Sequence, residues 1–335
     1  MINYKDIRHV HLELSTLCNA ACPRCRRNFY GYPYNDGYPE LNLSLANAEK
    51  IFTIDFLQQL KQIDINGNYG DIVMNSQGLQ IVEYFKKHNV NLTVSISTNG
   101  SARNKSFWQG LAKAGAQVIF CIDGLEDTHH LYRQNTSWST IIKNAKNFIE
   151  AGGCAIWKFI KFDHNAHQID ECRNLANKLK FNHFELILGD RNIGPVFDQQ
   201  GNHTHSLGNY QGSTDFKIMF HKKKTDEVLI EDVVDVSSPK THISCNALTN
   251  KSIYISAYGE VSPCCWTGFA PTTSYGSGEY HQAVNSQLRP IISKNNALEY
   301  SLEECIEWFS LIQQAWNTKT YQQGRLVVCD DNCGS

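Results

Sequence analysis

The chain has no long hydrophobic run. No apolar stretch in its 335 residues approaches the length of a membrane span, and mean hydropathy is −0.39; both speak against a helix that crosses a bilayer. Met1-Ile2-Asn3-Tyr4-Lys5-Asp6 contains no apolar core of a secretory signal, so a cytoplasmic protein is expected. An excess of charge of one sign is also lacking. Lys and Arg number 31 against 33 Asp and Glu, net −2, which gives no bulk electrostatic reason to bind nucleic acid. With 41% hydrophobic and 19% charged residues, the composition is that of a globular chain with a sizeable core, one large domain or two smaller ones. The twelve cysteines stand out against this background. In a cytoplasmic setting they point to metal or redox chemistry rather than disulfides.

Three of them are closely spaced in Cys18-Asn19-Ala20-Ala21-Cys22-Pro23-Arg24-Cys25. The preceding residues, His9-Val10-His11-Leu12-Glu13-Leu14, alternate apolar and polar and read as a strand, which puts the cysteines on the loop leaving its C-terminal end. Three thiolates on one loop can hold three irons of a 4Fe–4S cluster and leave the fourth open, the mark of a reactive rather than a structural centre. The spacing also suits a zinc knuckle.

Cys18, Cys22 and Cys25 resemble the CxxxCxxC signature of the radical S-adenosylmethionine (SAM) enzymes. The resemblance implies that SAM chelates the open iron. An electron from the cluster then splits SAM, and the 5′-deoxyadenosyl radical so formed takes a hydrogen atom from substrate. Arg24 stands where the family commonly has an aromatic residue before the third cysteine.

Periodicity predicts strands near His9–Leu14, Gln62–Asn66, Asn91–Thr98, Gln117–Ile122, Cys154–Phe162 and Phe184–Leu188. Helices are predicted over Leu43–Leu60, Leu79–His88, Phe107–Ala114, Thr140–Ala151 and Gln168–Leu179. Such alternation implies an α/β fold with a parallel sheet and right-handed crossovers. Six units are too few for a full TIM barrel but suit the partial (β/α)6 barrel of the resembled family. Polar residues or glycines follow every strand, the rim at which α/β barrels carry their chemistry: the cysteines, Asn66–Asp71, Ser97–Gly100, Asp123-Gly124, Asp163–Asn165 and Gly189–Arg191.

Within the resemblance, Tyr69-Gly70-Asp71 stands in place of the family's GGE motif, whose carboxylate meets the SAM amino group; Asn68 adjoins it. Ser97, Thr98 and Asn99 match the third-strand ending that faces the ribose and methionine ends of SAM. Asp123 and Arg133 match the fourth-strand region, with Arg133 available to the SAM carboxylate. Asn165 matches a polar residue near the ribose. Taken without the family, these loops also read as plain turns, and Arg133 as a surface arginine.

The regular pattern fades after about residue 190. His203 and His205 lie in a polar, glycine-rich stretch, and Lys222-Lys223-Lys224 reads as a solvated face. Residues 191–240 are expected to be a linker with a strand or two, partly covering the barrel mouth. Further on, Ser252–Ala257 and Gly259–Ser262 read as a hairpin. Cys245, Gly259, Cys264, Cys329 and Cys333 resemble the SPASM/Twitch extension of radical SAM enzymes. The resemblance implies a second, auxiliary 4Fe–4S cluster on Cys245, Cys264, Cys329 and Cys333; a structural zinc site with four cysteine ligands is the alternative by spacing. Cys265 reads as a spare thiol beside a ligand, Cys305 as a core residue of a helix over Leu302–Trp316, and Cys121, Cys154 and Cys172 as packing residues.

The expected domains are therefore a barrel over 1–190, a linker or insertion over 191–240, and a small α+β auxiliary-cluster module over 241–335. The implied activity is SAM cleavage and hydrogen-atom abstraction, with the auxiliary cluster favouring net oxidation (dehydrogenation or a cross-link). An epimerase using Cys265 as hydrogen donor is the alternative within the family, and a zinc-stabilised binding module without catalysis is the alternative outside it. The barrel strand begins within ten residues of Met1, ahead of which no peptide-recognition domain fits. This tilts the expected substrate to a sugar- or polyol-type small molecule or a peptide delivered by a partner. An electron donor such as flavodoxin or ferredoxin is implied; a nucleic acid or a membrane is not.

Overall fold

The computed structural model describes residues 2–34, 38–188, 194–225, 242–268, 284, 286–321 and 323–335. Contacts divide the chain into two compact units: Met1–Leu12, Asp36–Ile63 and Lys222–Ser335 form one, and Glu13–Asn35 with Asp64–His221 the other. The six expected barrel strands are present as β1 (His9–Leu12), β2 (Gln62–Ile65), β3 (Thr93–Thr98), β4 (Gln117–Cys121), β5 (Cys154–Ile160) and β6 (His183–Ile187). Two more, β7 (Ser252–Ile255) and β8 (Val261–Ser262), come from the C-terminal hairpin. The class is α/β with a mostly parallel sheet, consistent with a partial TIM-like barrel.

In the second unit the order is β3-β4-β5-β6, all paired in parallel. Alternation sets which face of each strand is buried: Val118 and Phe120 on β4, Ala155, Trp157 and Phe159 on β5. The helices between them obey the same logic at helical spacing. The helix over Trp138–Glu150 buries Ile141, Ile142, Ala145 and Phe148, each position within a turn of the next, and the Ser137 side chain caps its N-terminus on Thr140 N. The helix over Lys105–Lys113 is capped by Asn104 and buries Trp108, whose ring lies 5.2 Å from that of Phe120. Burying one such side chain contributes about 1.5–3 kcal/mol.

Residues 191–240 hold more structure than a linker. Gly194–Phe197 and His203–Leu207 form an antiparallel hairpin, and Phe216–Thr225 is helical. The ring of Phe216 packs 4.7 Å from Tyr32 and 5.3 Å from Phe197, and Phe29 lies 5.2 Å from Phe220. Phe197 N donates to Tyr30 O (2.8 Å). The aromatic residues following Cys25 thus tie the hairpin to the cysteine loop. Residues 226–241, including the end of that stretch, lie outside the described residues.

In the first unit, β7 pairs in parallel with β1, His9 opposite Ser252 and Leu12 opposite Ile255, and β8 returns antiparallel on β7. The hairpin expected to belong to a separate C-terminal module therefore extends the strand that opens the chain. Two single helices expected from periodicity are broken. Leu43–Leu60 is Leu45–Ile51 and Ile54–Gln59, because the Thr53 hydroxyl caps the second on Phe56 N (3.3 Å) and stops the first. Leu302–Trp316 is Leu302–Cys305, opened by a Ser301/Glu304 capping box, and Phe309–Ala315. No helix among the described residues is long and apolar enough to cross a membrane.

Candidate metal and cofactor sites

The loop that follows β1 is pinned by its backbone. Leu17 N donates to the Ser15 hydroxyl (2.9 Å), Asn75 Nδ2 to Leu14 O (2.7 Å), and Asp71 N to Leu17 O (2.9 Å). Gly70 abuts Ser15 O so closely that a Cβ there has no room. The glycine is needed for loop-on-loop packing, not for a turn. Further along, Ala21 N donates to Gln134 O, and Cys25 N to Cys22 O. Cys22 joins an apolar cluster with Tyr132, Phe162, Val196 and Leu207, and Cys25 packs against it.

The three thiols share one neighbourhood. Burial pushes Cys18 well above the ordinary thiol range, and Asp71, Cys22 and Cys25 push it further. Burial pushes Cys22 up to about 11 against the pull of Arg133, and raises Cys25 against a hydrogen bond from the backbone of Arg27. Thiols crowded so that Cys22 and Cys25 hinder the ionisation of Cys18, and Cys25 that of Cys22, fit a cationic metal centre, which offsets that cost and deprotonates its ligands.

Asp71, 6% exposed, has both oxygens engaged. Thr98 Oγ1 (2.7 Å) and Val73 N (3.1 Å) donate to Oδ1; Asn99 N (2.7 Å) and Asn99 Nδ2 (2.8 Å) donate to Oδ2. Four donors fill the acceptor positions of a carboxylate. The carboxylate thereby ties the end of β3 to its own loop. Asn99 Nδ2 also reaches Asn19 Oδ1 (3.0 Å) and Cys18 Sγ (3.6 Å). Ser97 is half-buried on β3, and Asn68 half-buried on the loop after β2.

A second group forms after β4. Asp123 is fully buried; Oδ1 accepts from Ile160 N (2.7 Å), and Oδ2 pairs with Arg133 Nε (2.6 Å). Arg133 Nη1 lies 3.8 Å from Cys22 Sγ. Arg133 is thus not a surface residue. Asn165, fully buried, accepts from Phe162 N and donates to Asp123 O and Ile160 O. It shapes the loop after β5. Gly124 has φ +120° with its missing Cβ against Thr128 Oγ1, a conformation that needs glycine. The expected Gly189–Arg191 rim loop lies outside the described residues.

Sequence reasoning missed His129. Its Nδ1 accepts from Asp123 N (3.2 Å), its Nε2 pairs with the Thr136 hydroxyl (3.0 Å), and burial holds it neutral, down to about 3. Nothing in Asp127-Thr128-His129-His130 signals this, because the partner lies across a loop. His164, whose Nε2 is buried without a partner, stacks on Phe162 at 5.2 Å and 10°.

The four C-terminal cysteines also meet, within the first unit. Ser244 N donates to Cys333 O (2.8 Å), and Ile243 bridges Gly334. The chain end is thereby held beside Cys245. Cys329 and Cys333 lie one helical turn apart on Val327–Cys333. A buried ion pair fixes this helix: Arg325 Nη2 and Nε donate to Asp330 Oδ1 (2.6 and 2.9 Å), and the Tyr321 hydroxyl donates to Oδ2 (2.6 Å). Cys245, Cys264, Cys329 and Cys333 line one cavity with Phe309, Ile312 and Trp316. Burial raises the Cys264, Cys329 and Cys333 thiols, and neighbouring cysteines raise each further. Among the described residues, no three His, Cys, Asp or Glu side chains close around a single ion-sized point. Four soft sulfurs on a largely apolar wall fit an iron–sulfur group. Cys265 does not line the cavity. Cys305 and Cys172 are fully buried, each pushed up to about 12 by burial, as packing residues are.

No family model and no curated protein matches the chain. Solved structures do. SuiB of Streptococcus suis is 14% identical with a TM-score of 0.56, over 89% of this chain and 65% of that one, so the chain spans less than two thirds of its length. SuiB bound to its precursor peptide SuiA gives 14% and 0.54, over 96% and 76%. The structure of anSMEcpe with bound AdoMet (SAM) and the Cp18Cys peptide gives 15% and 0.54, over 97% and 89%. SuiB and anSMEcpe are radical SAM enzymes, and this chain shares their fold.

Proposed function

We propose that the chain is a radical SAM enzyme whose Cys18, Cys22 and Cys25 hold a 4Fe–4S cluster and whose Cys245, Cys264, Cys329 and Cys333 hold an auxiliary one. The observation that carries this is the cysteine loop after β1, whose three thiols share one neighbourhood, on a fold whose relatives were solved with AdoMet. When bound, the first cluster and SAM supply an electron and a deoxyadenosyl radical that removes a substrate hydrogen atom. The chain's part is to bind and to exclude water. Tyr132, Phe162, Val196 and Leu207 keep the Cys22 side of the loop dry. Ser97 is the rim residue we assign to a SAM contact; Asp71, Thr98 and Asn165 engage protein partners. The four-cysteine auxiliary site leaves no ligand position open, which suits electron transfer and net oxidation of the substrate. The peptides bound to SuiB and anSMEcpe support a peptide substrate over a polyol.

Iron and sulfide analysis of protein reconstituted without oxygen tests this reading. Wild type should bind about four irons and four sulfides per cluster, two clusters per chain. Cys18, Cys22 and Cys25 changed together to Ala should remove one cluster and all 5′-deoxyadenosine formation. Cys329→Ala/Cys333→Ala should remove the other, keep SAM cleavage, and lose oxidised product. Bound zinc without sulfide would overturn the enzyme reading. Deuterium from solvent at the reacting carbon, lost in Cys265→Ala, would replace oxidation by epimerisation.

A further inference from the structure

Two side chains that the strand-end pattern assigns to SAM lie against cysteine sulfurs. Asn99 Nδ2 lies 3.6 Å from Cys18 Sγ and Arg133 Nη1 3.8 Å from Cys22 Sγ, both within reach of an N–H···S bond. Neither donor is loose. Asn99 is held by Asp71 Oδ2 through its amide and its backbone N–H, and its Oδ1 accepts from Ser101 N (2.8 Å); its second amide N–H is shared between Asn19 Oδ1 (3.0 Å) and Cys18 Sγ. Arg133 is held by Asp123 Oδ2 through Nε, and its guanidinium lies 5.3 Å from the Tyr132 ring. The two devices share one plan. A buried carboxylate at a strand end, Asp71 after β2 and Asp123 after β4, holds one donor, and the donor meets one sulfur.

Resting on the cluster reading above, we infer that Asn99 and Arg133 are positioning residues of the cluster's ligand sulfurs, each backed by a carboxylate, and that they set the ease with which the cluster accepts an electron. The physics is that of outer-shell hydrogen bonds. Reduction adds negative charge that the thiolates share, so an N–H aimed at a sulfur stabilises the reduced state more than the oxidised one. The donor on Cys18 is a neutral amide and that on Cys22 a full cation, and charge-assisted bonds are the stronger. Removing Arg133 should therefore matter more than removing Asn99. The backing carboxylates fix geometry: each holds its donor by a bond of 2.6–2.8 Å, so little reorganisation accompanies reduction.

The test is a potentiometric titration of the reconstituted chain without SAM, followed by electron paramagnetic resonance. The Cys18/Cys22/Cys25→Ala protein defines the auxiliary signal to be subtracted. Asn99→Ala should lower the reduced-to-oxidised ratio of the radical cluster about tenfold at a fixed potential, a midpoint shift of about 59 mV to the negative for one electron. Arg133→Gln should shift it further, and Arg133→Lys, which keeps the cation, should fall between Gln and wild type. Iron and sulfide content should stay at the wild-type level in all three. Unchanged midpoints with full cluster content overturn the inference. So does loss of the cluster from all three folded variants, which makes the two residues scaffolding only. Wild type without any cluster would instead defeat the reading on which this one rests.

Discussion

Asp71→Ala separates a structural hub from a ligand contact. The carboxylate receives four hydrogen bonds of 2.7–3.1 Å, two of them from the backbone amides of Val73 and Asn99. Val73 and Asn99 are only 2% and 5% exposed. The Ala side chain leaves both amides without an acceptor, at about 1–3 kcal/mol each, so folding should lose roughly 2–6 kcal/mol. Asp71→Asn keeps one acceptor oxygen but turns an amide NH2 towards donors, and should lose about half as much. The assay is urea unfolding of the metal-free protein at pH 7, followed by circular dichroism, with the slope unchanged and the midpoint lowered. A double-mutant cycle with Thr98→Val isolates the 2.7 Å hydroxyl bond; its coupling should be of the order of 1 kcal/mol or more. Stability within about 1 kcal/mol of wild type, with SAM affinity sharply reduced, would refute the hub. Asp71 would then face SAM, as the strand-end pattern alone suggests.

Glu260 has a buried oxygen without a partner, and burial raises its carboxyl to about 7. A raised acid is neutral in the folded chain, so its stability is full below the ordinary value of 4.5 and is lost as pH rises through about 7. Glu260→Gln should therefore be more stable than wild type at pH 8, by up to about 3 kcal/mol, and no more stable at pH 4.5; equal gains at both pH values in thermal melts would refute this. Arg325→Met strands the buried Asp330, 1% exposed, at about 3–5 kcal/mol. It should also cost the auxiliary irons, because the helix carrying Cys329 and Cys333 loses its anchor; wild-type iron content in the variant would show the anchor dispensable.

What could be read from the sequence is what is local. Cys18, Cys22 and Cys25 lie within eight residues, and β3 to β6 announce themselves by alternation, so loop and strands follow from neighbours in the chain. Periodicity carries less at helix breaks. Ile51 and Ile54 keep their phase across Thr53, so nothing in the apolar pattern marks the point where its hydroxyl starts a new helix. Pairing between distant segments is beyond local pattern altogether. The hairpin at Ser252–Ser262 was legible, but its parallel partner His9–Leu12 lies more than two hundred residues away, and alternation is indifferent to which strand stands alongside. The extra helix at Phe216–Thr225 is hard to read for a related reason: its apolar face is one turn long, Phe216 and Phe220, and what holds it is their contact with the distant Phe29 and Tyr32.

The site shows the same division more sharply. Polar residues at strand ends were legible as a rim, but not which of them consume one another. Asp71 and Asn99 are 28 positions apart and Asp123 and Arg133 ten. Placing a carboxylate near a cysteine is unfavourable for a chain of thiols alone, since Asp71 makes Cys18 harder to ionise. At Cys22 the Arg133 guanidinium outweighs the Asp123 carboxylate behind it, and at Cys18 the Asn99 amide places a donor beside the sulfur with Asp71 behind. That order, negative, donor, sulfur, is repeated on two strands by unrelated residue pairs. A packing accident would not need the donor in the middle twice, whereas ligands that share an added negative charge would.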